Sequence, residues 1–187
     1  IAGAAPYGAP QLPVAHALNV NENPYGPSEE LAAAIGAAAA QAAAGLNRYP
    51  DREALDLRRE LGEYLAEESG VPAPPAEAVW AANGSNEVMH QLMLAYGGPG
   101  RTALGFTPHY SMYPEYARDT YTAWVTAERG PAPDFALTAE TVTAAIAEHR
   151  PSIVVLTSPN NPTGTALDLD VARAAARALE PAPRLLG

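Results

Sequence analysis

The sequence predicts an α/β fold, a mostly parallel sheet with flanking helices, preceded by an extended N-terminal arm. Three observations carry that prediction. From Ala78 onward, short runs of strand formers alternate with stretches of helical length, the pattern of βαβ units. Residues 1–27 are rich in Pro, Gly and Asn and lack periodicity. The most strand-like run, SIVVLT, leads straight into TSPNNPTG (157–164), a cluster of turn formers.

The elements follow in order. Ser28 can cap a helix whose first turn carries Glu29 and Glu30, where carboxylates complement the helix dipole. The helix runs through LAAAIGAAAAQAAA to a stop at Gly45. Its alanine gives propensity with little bulk. Asp51 caps a second helix with Ala54, Leu57, Leu61, Tyr64 and Leu65 on one face and Gly70 after it. VPAPPAE reads as a linker. Residues 79–83 form a first strand, and SNEVMHQLMLAY a helix stopped by GGPG. A strand over 102–106 precedes the helical stretch SMYPEYARD, which tolerates Pro114 only in its first turn. TAWVTA is a third strand, Thr138 caps AETVTAAIAEH, SIVVLTS is the fourth strand, and LDVARAAARAL the last helix.

Composition excludes several classes of function. The 187 residues carry 21 acidic and 11 basic side chains, a net charge of −10. That field repels phosphate backbones and argues against nucleic-acid binding. Every basic residue is arginine, and lysine is absent. Without cysteine there is no disulfide, thiolate metal site or cysteine nucleophile. His16, His90, His109 and His149 lack a ligand spacing, so no metal is expected. No apolar run reaches the ~18 residues of a membrane span, and the start lacks a signal-peptide pattern. The expectation is a cytoplasmic protein with no membrane partner. An opening Ile in place of Met points to a trimmed start.

Ligands of parallel sheets sit beyond the carboxyl ends of the strands, which directs attention to three loops. NGSNE (83–87) opens a helix whose free amides favour an anion, typically phosphate; Ser85 as a simple helix cap is the alternative. TPHYSMY (107–113) offers Tyr110, whose ring either covers a flat ligand or packs, and His109, expected at the rim. In SPNNPTG (158–164) an Asn side chain can donate to a ligand oxygen, or the run is turn chemistry alone.

Four stretches, LNVNENPYGPSEEL (18–31), LNRYPD (46–51), WAANGSNEVMHQLMLAYGGPG (80–100) and TSPNNPTG (157–164), resemble the pyridoxal 5'-phosphate (PLP) enzymes of the aspartate-aminotransferase fold, fold type I. The closest likeness is to their histidinol-phosphate aminotransferase branch. The resemblance implies that Asn161 hydrogen-bonds the phenolic oxygen of PLP, that Tyr110 stacks on its ring, and that the amides around Gly84, Ser85 and Asn86 hold its phosphate. It implies that Tyr49 reaches the cofactor phosphate of the partner subunit, in a homodimer joined through the arm and the helical segment. Asn23 and Tyr25 would close over a small-molecule substrate; for Asn23 the alternative is an arm pinned to the dimer surface.

The sequence departs from that family at the amine. A lysine must hold PLP covalently and then shuttle a proton, and none of the 187 residues is lysine. The chain therefore reads as an N-terminal half, inactive alone: an arm (1–27), a helical segment (28–77) and an incomplete PLP-binding large domain (78–187). The resemblance places 102–106 between 153–157 and 122–126, and separates 79–83 from 153–157 by strands that come later in sequence. The implied activity is amino transfer between histidinol phosphate and 2-oxoglutarate in histidine biosynthesis. An aromatic-amino-acid aminotransferase, a more distant threonine-phosphate decarboxylase, and a non-catalytic assembly module are the alternatives.

Overall fold

A computed structural model describes residues 12–16 and 22–180. Much of the expected arm, 1–11 and 17–21, lies outside the described residues. The chain forms two compact units, Ile1–Leu57 and Arg58–Gly187.

In the first unit, helix α1 (Glu29–Ala43) starts where the sequence places it. Ser28 Oγ accepts from the Leu31 N–H at 3.2 Å, satisfying one amide that has no acceptor in the first turn. None of its residues is buried, which suits a helix made mainly of alanine. Helix α2 (Leu55–Ser69) begins later than expected. Asp51 still serves its start, with Oδ1 accepting from Glu53 N–H and Oδ2 from Leu55 N–H, both at 3.1 Å. Ala54, at φ 47°, holds the chain off the helical path until Leu55.

The face of α2 that packs is not the one the apolar pattern selects. Leu57, Tyr64 and Leu65 are exposed, whereas Gly62 is buried. In the second unit, Arg58 Nε donates to the carbonyls of Ala76 (2.9 Å) and Val79 (2.8 Å). One turn on, a Cβ at Gly62 would sit 2.9 Å from Pro74 O. A glycine and a cation capping stray carbonyls therefore decide the packing, and apolar periodicity cannot see either. The expected linker contains a short 3-10 turn, Ala76–Ala78.

The second unit continues with α3 (Ser85–Tyr96), β1 (Thr102–Thr107), α4 (Met112–Asp119), β2 (Ala123–Glu128), α5 (Ala139–His149), β3 (Ile153–Val154) and α6 (Leu169–Leu179). Thr138 caps α5 as expected, its Oγ1 accepting from Thr141 N–H at 3.1 Å. The sheet is parallel with order β2-β1-β3, the arrangement expected for these three segments. Residues 79–83, expected as a strand, are not one. Their polar groups bond elsewhere instead: Val79 O accepts from Arg58 Nε, Asn83 N–H donates to Glu87 Oε2, and Ala82 O accepts from Gly84 N–H. β3 is also shorter than the 153–157 run. Val155 N–H still donates to Leu104 O, but Thr157 turns its hydroxyl toward the following loop.

Alternation along β1 divides the core. Leu104 and Phe106 face α5 and α6, packing with Val142, Ala145, Ile146, Val171 and Ala175. On the other face Ala103 packs with Met93 of α3 and Tyr116 of α4. Gly105 shares that second face, and a Cβ there would lie 2.4 and 2.6 Å from ring carbons of Trp124. Gly105→Ala is expected to destabilise the chain by about 1–3 kcal/mol through overpacking. A thermal midpoint equal to that of the parent chain would mean that the indole moves aside without cost. Among the described residues, no helix is long and apolar enough to cross a membrane.

Candidate functional site

The loop after β3 is organised by its first asparagine. Asn160 is 2% exposed, so its polar atoms need partners inside the protein. Its Oδ1 accepts from Thr157 Oγ1–H (2.8 Å), and its Nδ2 donates to Thr163 Oγ1 (2.9 Å) and Pro108 O (3.1 Å). Its backbone N–H donates to Thr165 O (2.8 Å) and its carbonyl accepts from Gly164 N–H (2.7 Å). The peptide bonds Ser158–Pro159 and Asn161–Pro162 are both cis. Asn161 is the opposite of its neighbour. It is exposed, and its side chain bonds to no described residue.

The Pro108 contact reaches the loop after β1. There Tyr110 is half-buried, its ring edge-to-face with Tyr113 at 5.6 Å. His109, expected at the rim, is instead half-buried among aromatic rings, with Trp124 at 5.2 Å and Tyr113 at 5.9 Å. Its Nδ1 lies 2.8 Å from Tyr110 O, a hydrogen bond that requires the proton on Nδ1. Burial among rings, together with that carbonyl, explains why it is not a solvent residue.

At the start of α3 the cap is Gly84, with φ 80° and no side-chain cap, and Ser85 is the first helical residue. The reading of Ser85 as a simple cap is thereby corrected. Gly84 can take this backbone conformation because it has no Cβ. Its own amide is used in the turn to Ala82 O. The first-turn amides of Ser85, Asn86 and Glu87 have no acceptor within the helix and make up the anion-favouring end. Glu87, a carboxylate in that turn, is bent back: Oε2 accepts from Asn83 N–H (2.6 Å) and Oε1 from Gln91 Nε2 (3.2 Å). Trp80 Nε1–H donates to Gln91 Oε1 at 2.6 Å, closing the chain of contacts. Asn86 Oδ1 accepts from Tyr116 OH, which ties α3 to α4. Asn86 can thus contribute to an anion through its amide while its side chain is engaged.

Asn160, Tyr116 and Gln91 were not singled out from the sequence, and for Glu87 only the amide was, not the carboxylate. The Asn-Asn doublet was the one visible signal. Another such residue is Arg129, which directly follows β2. It is buried, and its Nε has no hydrogen-bond partner among the described residues. Burial holds its pKa below the usual guanidinium range, with Tyr113 opposing the shift. Burial likewise pushes the Tyr113 hydroxyl above the ordinary phenol range, against the pull of Arg129.

Tyr49, Asn23 and Tyr25 lie in the first unit, whereas Gly84, Ser85, Asn86, Tyr110 and Asn161 lie in the second. Tyr49 is fully exposed. Asn23 Oδ1 accepts from Tyr25 N–H at 3.0 Å in a local turn, and the Tyr25 ring is exposed. Among the described residues, no cluster of His, Cys, Asp or Glu could hold a metal ion.

A parallel α/β sheet with loops of this kind at the ends of β1 and β3 and at the start of α3 defines the class. The family model for aminotransferase class I and II matches residues 16–180, and the chain belongs to that family. Within it, the chain is 59% identical over 176 residues to histidinol-phosphate aminotransferase of Thermobifida fusca, covering 94% of this chain and 46% of that protein. A histidinol-phosphate aminotransferase of Mycolicibacterium smegmatis is 50% identical over 168 residues, 90% of this chain and 75% of its own length. The chain spans about half the length of most of the curated relatives it matches. Among solved structures, aspartate aminotransferase of Thermus thermophilus with maleate superposes with a TM-score of 0.69 at 27% identity, over 86% of this chain and 41% of that one. Histidinol-phosphate aminotransferase of Sinorhizobium meliloti with pyridoxal-5'-phosphate gives 0.62 at 22% identity, over 83% and 38%, a likeness of fold.

Proposed function

We propose that these residues form part of a PLP-dependent histidinol-phosphate:2-oxoglutarate aminotransferase of histidine biosynthesis, working in the cytoplasm, and supply its loops for the cofactor ring and phosphate. The observation that carries this reading is Asn161. It is an exposed amide, bonded to no described residue, on a loop that buried Asn160 ties to the Tyr110 loop. Such donors suit a group with one ring oxygen and one phosphate. The Asn161 amide would donate to the phenolic oxygen, Tyr110 would cover the ring, and the amides of Ser85 and Asn86, turned by Gly84, would hold the phosphate.

Bound there, PLP supplies an electron-poor ring that stabilises negative charge at the substrate α-carbon. This chain's residues would orient the ring and donate hydrogen bonds to its oxygen and phosphate. The proton-moving amine is not among them, since the 187 residues include no lysine. In this reading the protein is a homodimer, exposed Tyr49 reaches the phosphate of the partner subunit's cofactor, and Asn23 and Tyr25 cover the substrate.

A chimera tests the proposal. This chain would replace the matching residues of the Thermobifida fusca relative, whose remaining sequence completes the protein. The chimera is expected to transfer the amino group of histidinol phosphate to 2-oxoglutarate. A folded chimera that turns over only aromatic amino acids overturns the substrate assignment. One that turns over neither overturns the function.

A further inference from the structure

We infer that Asn160 is a positioning residue that holds Asn161 and Tyr110 in one frame by locking the loop after β3 to the loop after β1. The inference rests on the reading of Asn161 and Tyr110 as cofactor contacts. Asn160 is 2% exposed, and every hydrogen-bonding function it has is used. Oδ1 takes the Thr157 hydroxyl, the two Nδ2 hydrogens go to Pro108 O and Thr163 Oγ1, the backbone N–H goes to Thr165 O, and the carbonyl takes Gly164 N–H.

Four of these five contacts stay within residues 157–165 and would suffice to shape a local turn. The fifth crosses 52 positions in sequence to Pro108, two residues before Tyr110. A turn does not need it; two loops that must present a ring and an amide to one ligand do. An amide side chain is required for both tasks at once. Aspartate has the same size but, when ionised, only accepts, so it would lose the donations to Pro108 and Thr163 together. Asn161, next in the chain, then has no fixed relation to Tyr110.

Amide hydrogen exchange of the full chain tests the coupling without any ligand. Asn160→Asp is expected to speed exchange about ten-fold in two places. One is Gly164 N–H, in its own loop; the other is Tyr113 N–H, which donates to Tyr110 O. Thr163→Val, which removes only the local acceptor and spares Pro108, should speed the first and leave the second unchanged. If Asn160→Asp alters residues 160–165 alone, Asn160 is a local turn residue and the inference is overturned. Should Asn160→Asp fail to fold, Asn160→Ser decides instead: it keeps a local hydroxyl but is too short to reach Pro108 O, so exchange at Tyr113 should still quicken, and no change there overturns the inference.

PLP affinity of the chimera supplies the second readout. Asn160→Asp should weaken PLP binding, but add no further loss to Asn161→Ala. Additive losses would show that Asn160 does not act through Asn161. Coupled exchange with no PLP binding would instead defeat the cofactor reading and leave the coupling standing.

Discussion

Phe106→Ala is expected to remove about 3–5 kcal/mol of stability, a large share of the about 5–15 kcal/mol that holds a domain of this size together. Phe106 is 2% exposed in the central strand of the sheet, with β2 on one side and β3 on the other. It shares its core cluster with Leu104, Leu137, Val142, Ile146 and Val171, so α5, α6 and β1 all contribute to the pocket its ring fills. Truncation leaves a cavity among β1, α5 and α6 that their packing closes only in part. Urea unfolding followed by circular dichroism should show a much lower midpoint with the slope retained. A midpoint within error of the parent chain would mean that the two helices do not close over this strand. The loop after β1 begins one residue beyond Phe106, past Thr107, so core and site stand on the same footing.

Asn161→Ala carries the largest functional effect. The side chain is exposed and bonded to no described residue, so its removal should leave the thermal midpoint unchanged. In the chimera it should weaken PLP binding by about 10- to 100-fold, the worth of a hydrogen bond to a charged acceptor. The neighbouring Asn160→Ala should behave oppositely in the chain alone, losing stability because it strips partners from Thr157, Thr163 and Pro108. An Asn161→Ala variant that binds PLP as tightly as its parent would sink the assignment of this loop.

The contrast between those two asparagines shows what was legible in the sequence. Both have the same intrinsic preference for turns; the resemblance points to Asn161, but nothing in the doublet says that Asn160 builds the loop. Burial separates them, and one of the contacts that use the buried amide runs to Pro108, 52 residues away. Helices with local signals were readable: Ser28 and Thr138 at α1 and α5, and the extents of α3 and α6. The order of the three paired strands was readable through family resemblance. Residues 79–83 were not, because a strand is a property of its partner, and their own apolar pattern does not contain one. The packed face of α2 was missed for a related reason. Gly62 and Arg58 meet carbonyls of residues 74–79, and hydrophobic periodicity registers neither.

The bareness of α1 has a consequence for how this chain melts as a monomer. A 15-residue helix with no buried side chain draws on alanine propensity and its Ser28 cap, and sits at the length where isolated helices are marginal in water. Its ellipticity should therefore fade gradually from low temperature, as a sloping baseline beneath the sharper transition of the sheet-containing unit. A protease present in that interval would cut between Glu29 and Ala43 while β1 and its neighbours were still intact.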